Sequence, residues 1–393
     1  MNNKNFNNPV FDWICLSGDD YWNSNPHSRY HIAKQLSKRS RVLWVNSIGS
    51  RFPTLKKKNG FRLIANKLKS YLIFFRKPEP GFYILSPVTI PLFKGSLVKK
   101  INENFLWYQI KLFIFLLGLK NPHFFISSPS FGILSTRIKN FFCIYYYSDL
   151  YISHREIKYK SDMEDLDKRL LGISSLVYCC SKKICEVVQK EYRNAKYLPH
   201  SVDREHFTKS FIKPEELKNI KSPIIGYYGT LSDSNDWEII DYLSLQRPDY
   251  SFVFIGKKTM DIPLLEQREN IFFLDRISYD QIPAYGSFFD VAIMFWILRD
   301  WILHSSPLKL LEYFALGKPV VSVDIPEVRK KFGDVVFISK DKYCFLENVD
   351  RALKIDRKEL EIKYDLILKE NSWSKLTDQI YMDLERVQNV QHN

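Results

Sequence analysis

The stretch Ser305-Ser306-Pro307-Leu308-Lys309-Leu310-Leu311-Glu312-Tyr313-Phe314-Ala315-Leu316-Gly317-Lys318-Pro319-Val320-Val321 reads as a tight turn, a short helix, a glycine stop and a buried strand. Pro307 suits the first helical position, where its missing N–H would have had no partner, and Gly317 suits the left-handed residue that ends such a helix. The free N–H groups from Ser305 to Leu308, with the positive end of the helix dipole, make a seat for an anion. At about 100° per residue, Lys309 and Glu312 face nearly the same side of that helix. A cation beside an anion seat, with a carboxylate three residues on, suits a nucleoside diphosphate: phosphate at the helix tip, ribose hydroxyls on the carboxylate. In isolation the stretch also fits an ordinary capped helix with a surface Lys–Glu pair, so its setting decides.

The setting is a chain of 393 residues, comfortable for two domains, with 45% hydrophobic and 26% charged residues, as in a globular protein. Its net charge of +14 is unevenly spread. Residues 1–150 hold 22 Lys and Arg against 6 Asp and Glu, whereas residues 151–393 hold 36 against 38. Such a one-sided field attracts anionic lipid, polyanionic substrate or nucleic acid. Lys56, Lys57, Lys58, Arg62, Lys67, Lys69, Arg76 and Lys77 alternate with aromatic and aliphatic residues, an arrangement expected of an interfacial helix on a membrane surface or of a solvated helix over a core. Phe105 to Leu119 is the most hydrophobic run, but it is too short and too polar, with Gln109 and Lys111, for a bilayer crossing. The start of the sequence lacks the apolar segment of a signal peptide, so a cytoplasmic protein, peripheral on the inner membrane face, is expected. The six cysteines show no metal-ligand spacing, and neither a metal nor a cofactor is expected.

Apolar runs bounded by turn residues alternate with helical patterns throughout, which predicts parallel α/β layers. Two doubly wound domains are expected: residues 1–205, a linker over 206–222, and 223–371, with a last helix over 372–393 returning to the first domain. A ligand cleft would then lie at the carboxyl ends of the strands.

Several residues could carry chemistry at those ends. Gly229 after the strand Ile224–Tyr228 would let a ligand approach the backbone, and Thr230 could donate to a phosphate. No G-x-G-x-x-G follows, which disfavours NAD or FAD and with it an epimerase. Arg276 and Ile277, after another strand of this domain, could meet a base. In the first domain Asp149 closes the strand Phe141–Tyr147 and could act as general base; it could equally cap a turn. Asp19, Asp20, His27 and His31 are rivals after the first strand, with His27 the main one because its unperturbed pKa suits the task.

The order of elements resembles the GT-B glycosyltransferases, and within them the bacterial group 1 type of families 4 and 70. Pro199-His200-Ser201-Val202-Asp203 is similar to the family's interdomain hinge, Ile225 to Leu231 to the opening of its donor domain, Ser306 to Tyr313 to its donor-binding helix, and Ser372-Trp373-Ser374 to the start of its crossing helix. The resemblance implies two facing Rossmann-like domains, with Lys309 on the donor diphosphate and Glu312 on the ribose, among donor residues that also include His304, Ser305 and Ser306. Asp149 is similar in position to the acceptor-activating aspartate of glucuronosyltransferase-like and teichuronic-acid-type members, which also resemble this chain in the stretch from Trp22 to Val45 around Arg29. Three departures matter. His304 stands where retaining members carry glutamate, the Arg and Lys that they carry after the first donor-domain strand are missing, and His200 and Ser201 replace the hinge's usual asparagine and glycine. The first two favour inversion.

The resemblance thus implies a transferase moving a sugar from a nucleotide donor, UDP by family frequency, to a lipid-linked glycan, on an anionic membrane surface met by Arg29, Lys56, Lys57, Lys58, Arg62, Lys69 and Arg76. A retaining transferase is the near alternative. A nucleic-acid-binding protein is the distant one, disfavoured because no nucleic-acid module appears.

Overall fold

The computed structural model describes residues 11–22, 24–48, 74–90, 96–148 and 160–391. The chain folds as two compact units. One comprises Met1–Cys180, Ile184–Leu198 and Thr377–Asn393; the other comprises Ser181–Lys183 and Pro199–Leu376.

The first unit is built on β1 (Trp13–Leu16), β2 (Val42–Val45), β3 (Phe75–Glu79), β4 (Phe82–Leu85), β5 (His123–Ile126), β6 (Cys143–Tyr147), β7 (Leu176–Cys179) and β8 (Ala195–Tyr197). Their order is β3-β4-β2-β1-β5-β6-β7-β8, parallel except for the β3–β4 pair. Every residue of β1, β2, β5, β6 and β7 is buried, which is why these strands read as continuous apolar runs rather than alternating ones. Helices α1 (Ser28–Leu36), α2 (Ser96–Leu116), α3 (Lys160–Ile173) and α4 (Lys182–Gln189) accompany them.

The interfacial-helix expectation needs a correction here. Arg76 and Lys77 lie in β3, an antiparallel edge strand turned back onto β4 by Pro80-Gly81, with Gly81 at φ 76°. Pro78 marks it as an edge, where a missing donor is tolerated. Lys56, Lys57, Lys58, Arg62, Lys67 and Lys69 lie outside the described residues.

The second unit carries β9 (Ile224–Tyr228), β10 (Ser251–Ile255), β11 (Ile271–Leu274), β12 (Val291–Met294), β13 (Val320–Val323) and β14 (Val336–Ser339), all parallel, in the order β11-β10-β9-β12-β13-β14. This is the doubly wound order, in which the winding reverses beside the first strand and leaves a crevice past its carboxyl end. Helices α5 (Trp237–Gln246), α6 (Leu308–Ala315), α7 (Pro326–Phe332), α8 (Lys342–Ala352), α9 (Arg357–Glu370) and α10 (Trp373–Gln391) complete it. Residues 206–222, a linker by sequence, pack into this unit instead: Phe207, Leu217 and Ile220 are buried in its core.

Helix α10 begins in the second unit, where the Ser372 hydroxyl accepts from the Lys375 N–H at 3.3 Å, and from Thr377 onward it belongs to the first. There Trp13 Nε1 donates to the Tyr381 hydroxyl at 3.3 Å. Asp383, buried, accepts from the Tyr178 hydroxyl at 2.9 Å and from Lys196 Nζ at 2.7 Å.

Candidate functional site

The crevice at the switch point of the second sheet is shaped by glycines. Gly229 follows β9 at φ 149°, a conformation that side chains rarely adopt. A Cβ there would lie 2.6 Å from Lys309 Cε and 2.8 Å from Tyr227 Oη, so a larger residue would push the lysine stem from its place across the end of the strand. Gly256, after β10 at φ 148°, presses against Gly229 from the other side, because its own Cβ would fall 1.9 Å from the Gly229 carbonyl oxygen.

Lys309 stands in the first turn of α6. Its Nζ lies 5.8 Å from the ring centroids of both Tyr227 and Trp296, and Trp296 Nε1 donates to Tyr227 Oη at 3.3 Å. Two aromatic faces thus bracket the ammonium. Among the described residues it has no hydrogen bond and no ion pair. One turn on, Glu312 is 6% exposed; burial raises its pKa, and the Lys309 charge opposes the rise. Burial and the neighbouring Glu312 charge push the pKa of the buried Tyr228 hydroxyl up. The crevice therefore holds a cation bracketed by ring faces, a desolvated carboxylate and a buried tyrosine hydroxyl on adjoining elements.

The turn before α6 differs by one residue from the sequence reading. Pro307 has ψ 117° and caps the helix from outside, so Leu308 is the first helical residue; Gly317 ends it at φ 67°, as expected. Around it, His304 Nδ1 meets the Asp300 carbonyl at 2.8 Å, the Ser305 hydroxyl donates to Ile302 O at 2.8 Å, and the Ser181 hydroxyl donates to His304 O at 2.5 Å. Thr230 is exposed beside Gly229. Arg276, exposed, and Ile277, half-buried, follow the edge strand β11, two strands from β9.

One residue escaped the sequence reading. Arg299 donates to Asp233 Oδ2 at 3.0 Å, to Asp233 O at 2.7 Å and to Ser234 Oγ at 3.3 Å. With Ile297 N–H on Ser234 O at 2.9 Å and Asp236 N–H on Phe295 O at 2.7 Å, it laces the loop after β9 to the loop after β12. Its signal was present as the one Lys or Arg between β12 and Pro307.

In the first unit the strand expected to end before Asp149 does so: β6 stops at Tyr147, and Asp149 itself lies outside the described residues. The tyrosines before it belong to the core, since Tyr145 and Tyr147 donate to the buried Asp167 at 2.5 and 2.9 Å. Of the rivals, Asp19 pairs with Arg29, Asp20 accepts from the Trp22 N–H at 3.0 Å, His27 is exposed at the start of α1, and His31 is buried within it. Arg29 also donates to Ser127 O at 3.2 Å, and the Arg76 guanidinium lies 4.5 Å over the Trp22 ring. Among the described residues no cluster of His, Cys, Asp or Glu could hold a metal, and no helix is long and apolar enough to cross a membrane.

The fold is that of the GT-B glycosyltransferases. The chain matches the Thermosynechococcus elongatus sucrose-phosphate synthase with a TM-score of 0.70 at 12% identity, over 97% of this chain and 100% of that one. It matches the Burkholderia xenovorans alpha,alpha-trehalose-phosphate synthase (UDP-forming), in complex with glucose-6-phosphate, with a TM-score of 0.65 at 11% identity, over 95% and 100%. Residues 222–354, which contain the whole Lys309 crevice, match the family described as glycosyl transferases group 1. A candidate teichuronic acid biosynthesis glycosyltransferase of Bacillus subtilis (strain 168), TuaH, is 26% identical over 220 residues, 51% of this chain. The match spans about half the length of that relative, 55%.

Proposed function

We propose that this protein transfers a sugar from a nucleotide-diphosphate donor to a lipid-linked glycan acceptor at the cytoplasmic face of the membrane, in the synthesis of a bacterial surface polysaccharide. The observation that carries the reading is Lys309: an ammonium with no ion pair among the described residues, bracketed by Tyr227 and Trp296, at the tip of α6 and against a glycine that keeps the strand end open. The donor diphosphate sits on Lys309 and the first amides of α6, and the ribose hydroxyls meet the desolvated carboxylate of Glu312. The UDP-forming Burkholderia structure and the teichuronic-acid relative support a UDP-sugar and a surface glycan as the substrate classes.

The acceptor hydroxyl attacks the anomeric carbon, its proton passes to Asp149, and the bond to the departing diphosphate breaks with inversion. Lys309 and the α6 amides hold the charge that grows on the leaving oxygen, a role commonly worth about 10²–10³ in rate, so this scheme runs without a metal. His304, with its ring on the Asp300 carbonyl, stands where a retaining enzyme would present a carboxylate.

A thermal-shift panel of UDP-, GDP- and dTDP-sugars, followed by transfer to membrane-extracted acceptor and an NMR reading of the product's anomeric configuration, tests the whole. The expected result is stabilisation by a UDP-sugar that Lys309→Ala abolishes, and an inverted product. A product of retained configuration would remove Asp149 as base, and full turnover by Asp149→Asn would do the same.

A further inference from the structure

Helix α2 has two apolar faces, and only one of them is used by the fold. The inner face carries Leu106, Ile110 and Phe113 into the core of the first unit. Two side-chain amides latch it in place. Gln109 accepts from the Val88 N–H and donates to the Val88 carbonyl, both at 2.9 Å, and Asn102 does the same with Ile90 at 2.7 and 2.8 Å. The outer face carries Leu97, Ile101, Phe105, Tyr108, Leu112 and Phe115 at spacings of four, four, three, four and three, one arc of an α-helix. All six are exposed, Leu97 by 70% and Phe115 by 81%.

The charge along this arc has one sign. Lys100 and Lys111, both exposed, lie three turns apart along one edge of the stripe. The helix's one acidic residue, Glu103, is held by Arg137 at 3.0 Å, and Lys99 is paired with Asp162 at 3.1 Å. A second copy of the chain would bring two rows of lysines together, within a unit whose residues 1–150 already carry 22 basic against 6 acidic side chains. A surface that is apolar within and negative at its rim complements the stripe instead.

We propose that the outer stripe of α2 seats on an anionic lipid bilayer, with Leu112 and Phe115 in the acyl boundary, Tyr108 at headgroup level, and Lys100 and Lys111 on the phosphates. This deepens the membrane-face part of the proposed function and rests on it; the stripe itself is separate from the donor crevice.

Sedimentation of the full chain with phosphatidylglycerol/phosphatidylcholine vesicles, and with phosphatidylcholine alone, tests it. Wild type is expected to bind the mixed vesicles, less strongly as salt is raised. Lys100→Glu/Lys111→Glu is expected to bind about thirtyfold more weakly, at roughly 1 kcal/mol for each cation removed. Leu112→Ser/Phe115→Ser is expected to lose at least tenfold while keeping the wild-type melting temperature, because neither side chain is in the core. Unchanged binding in both double variants overturns the assignment. So does a wild-type dimer in sedimentation velocity that Leu112→Ser/Phe115→Ser dissolves, since a second copy would then be the occupant. Donor-induced thermal shift is read in parallel: its loss with vesicle binding intact removes the transferase reading and leaves the surface, and the reverse removes the surface alone.

Discussion

The two units put a cation at the same place in their sheets and use it differently. At the mouth of the first sheet Arg29 reaches the loop after β1, where it pairs with Asp19 and donates to the Ser127 carbonyl at the end of β5. At the mouth of the second, Lys309 crosses the end of β9 and meets two aromatic faces in place of a carboxylate. A cation already neutralised in the folded protein organises a loop; one held by ring faces keeps its charge available. The same architecture thus yields a mouth that is internally balanced and a mouth that awaits an anion.

The contrast can be broken most forcefully at Lys309. Lys309→Met is expected to lower kcat/KM by about 10²–10³ and to erase donor-induced stabilisation, while Arg29→Met leaves the donor KM within a factor of two. Equal losses from the two variants, measured in one transfer assay, would mean that the mouths are not specialised. Gly229→Ala comes next. Strain at φ 149° and collision with the Lys309 stem are expected to cost about 1–3 kcal/mol in chemical denaturation and to weaken donor binding along with it.

Glu312→Gln separates binding from folding. The Glu312 pKa is raised by burial, so the native state binds this proton more tightly than the unfolded chain does. Its contribution to stability is then fully present below the unfolded value and lost as pH rises through the folded one. The variant is therefore expected to melt higher than wild type at pH 7.5, to match it near pH 4, and to bind donor about tenfold more weakly, as a lost hydrogen bond to a charged group predicts.

Lys318 gives the smallest effect. Burial, reinforced by Arg357, lowers its pKa to about 8, although Nζ donates to Ser287 O at 2.5 Å. Between about pH 8 and the ordinary lysine value the unfolded chain holds the extra proton, so stability rises with pH through that window. Calorimetry of wild type against Lys318→Met should show a gain of order 1–2 kcal/mol across it that the variant lacks.

Much of the second unit was legible in the sequence because its information is local. Ile224–Tyr228 and Ile271–Leu274 are found where the apolar runs place them, and Gly317 ends α6 as its lack of Cβ allows. What escaped depends on partners distant in the chain. Strand β3 is disguised by Arg76 and Lys77 and is specified by pairing with β4. The segment around Leu217 reads as a linker because its apolar residues have no period, yet Phe207, Leu217 and Ile220 find places in the core. Lys309 stood out as a candidate from its helix and its setting together. That it would be bracketed by Tyr227 and Trp296, from two different strand ends, is a property of the sheet order, as is the loop lacing by Arg299.

The course of α10 bears on how the protein is made. Residues 199–376 form an uninterrupted stretch and can fold as soon as they clear the ribosome. The first unit is translated earlier, but the hydroxyl that Trp13 meets and the carboxylate that Tyr178 and Lys196 share arrive only with Tyr381 and Asp383. The earlier-made sheet therefore gains these partners only when the last helix is delivered, and a chain lacking residues 377–393 would carry the whole second unit beside a first unit without them.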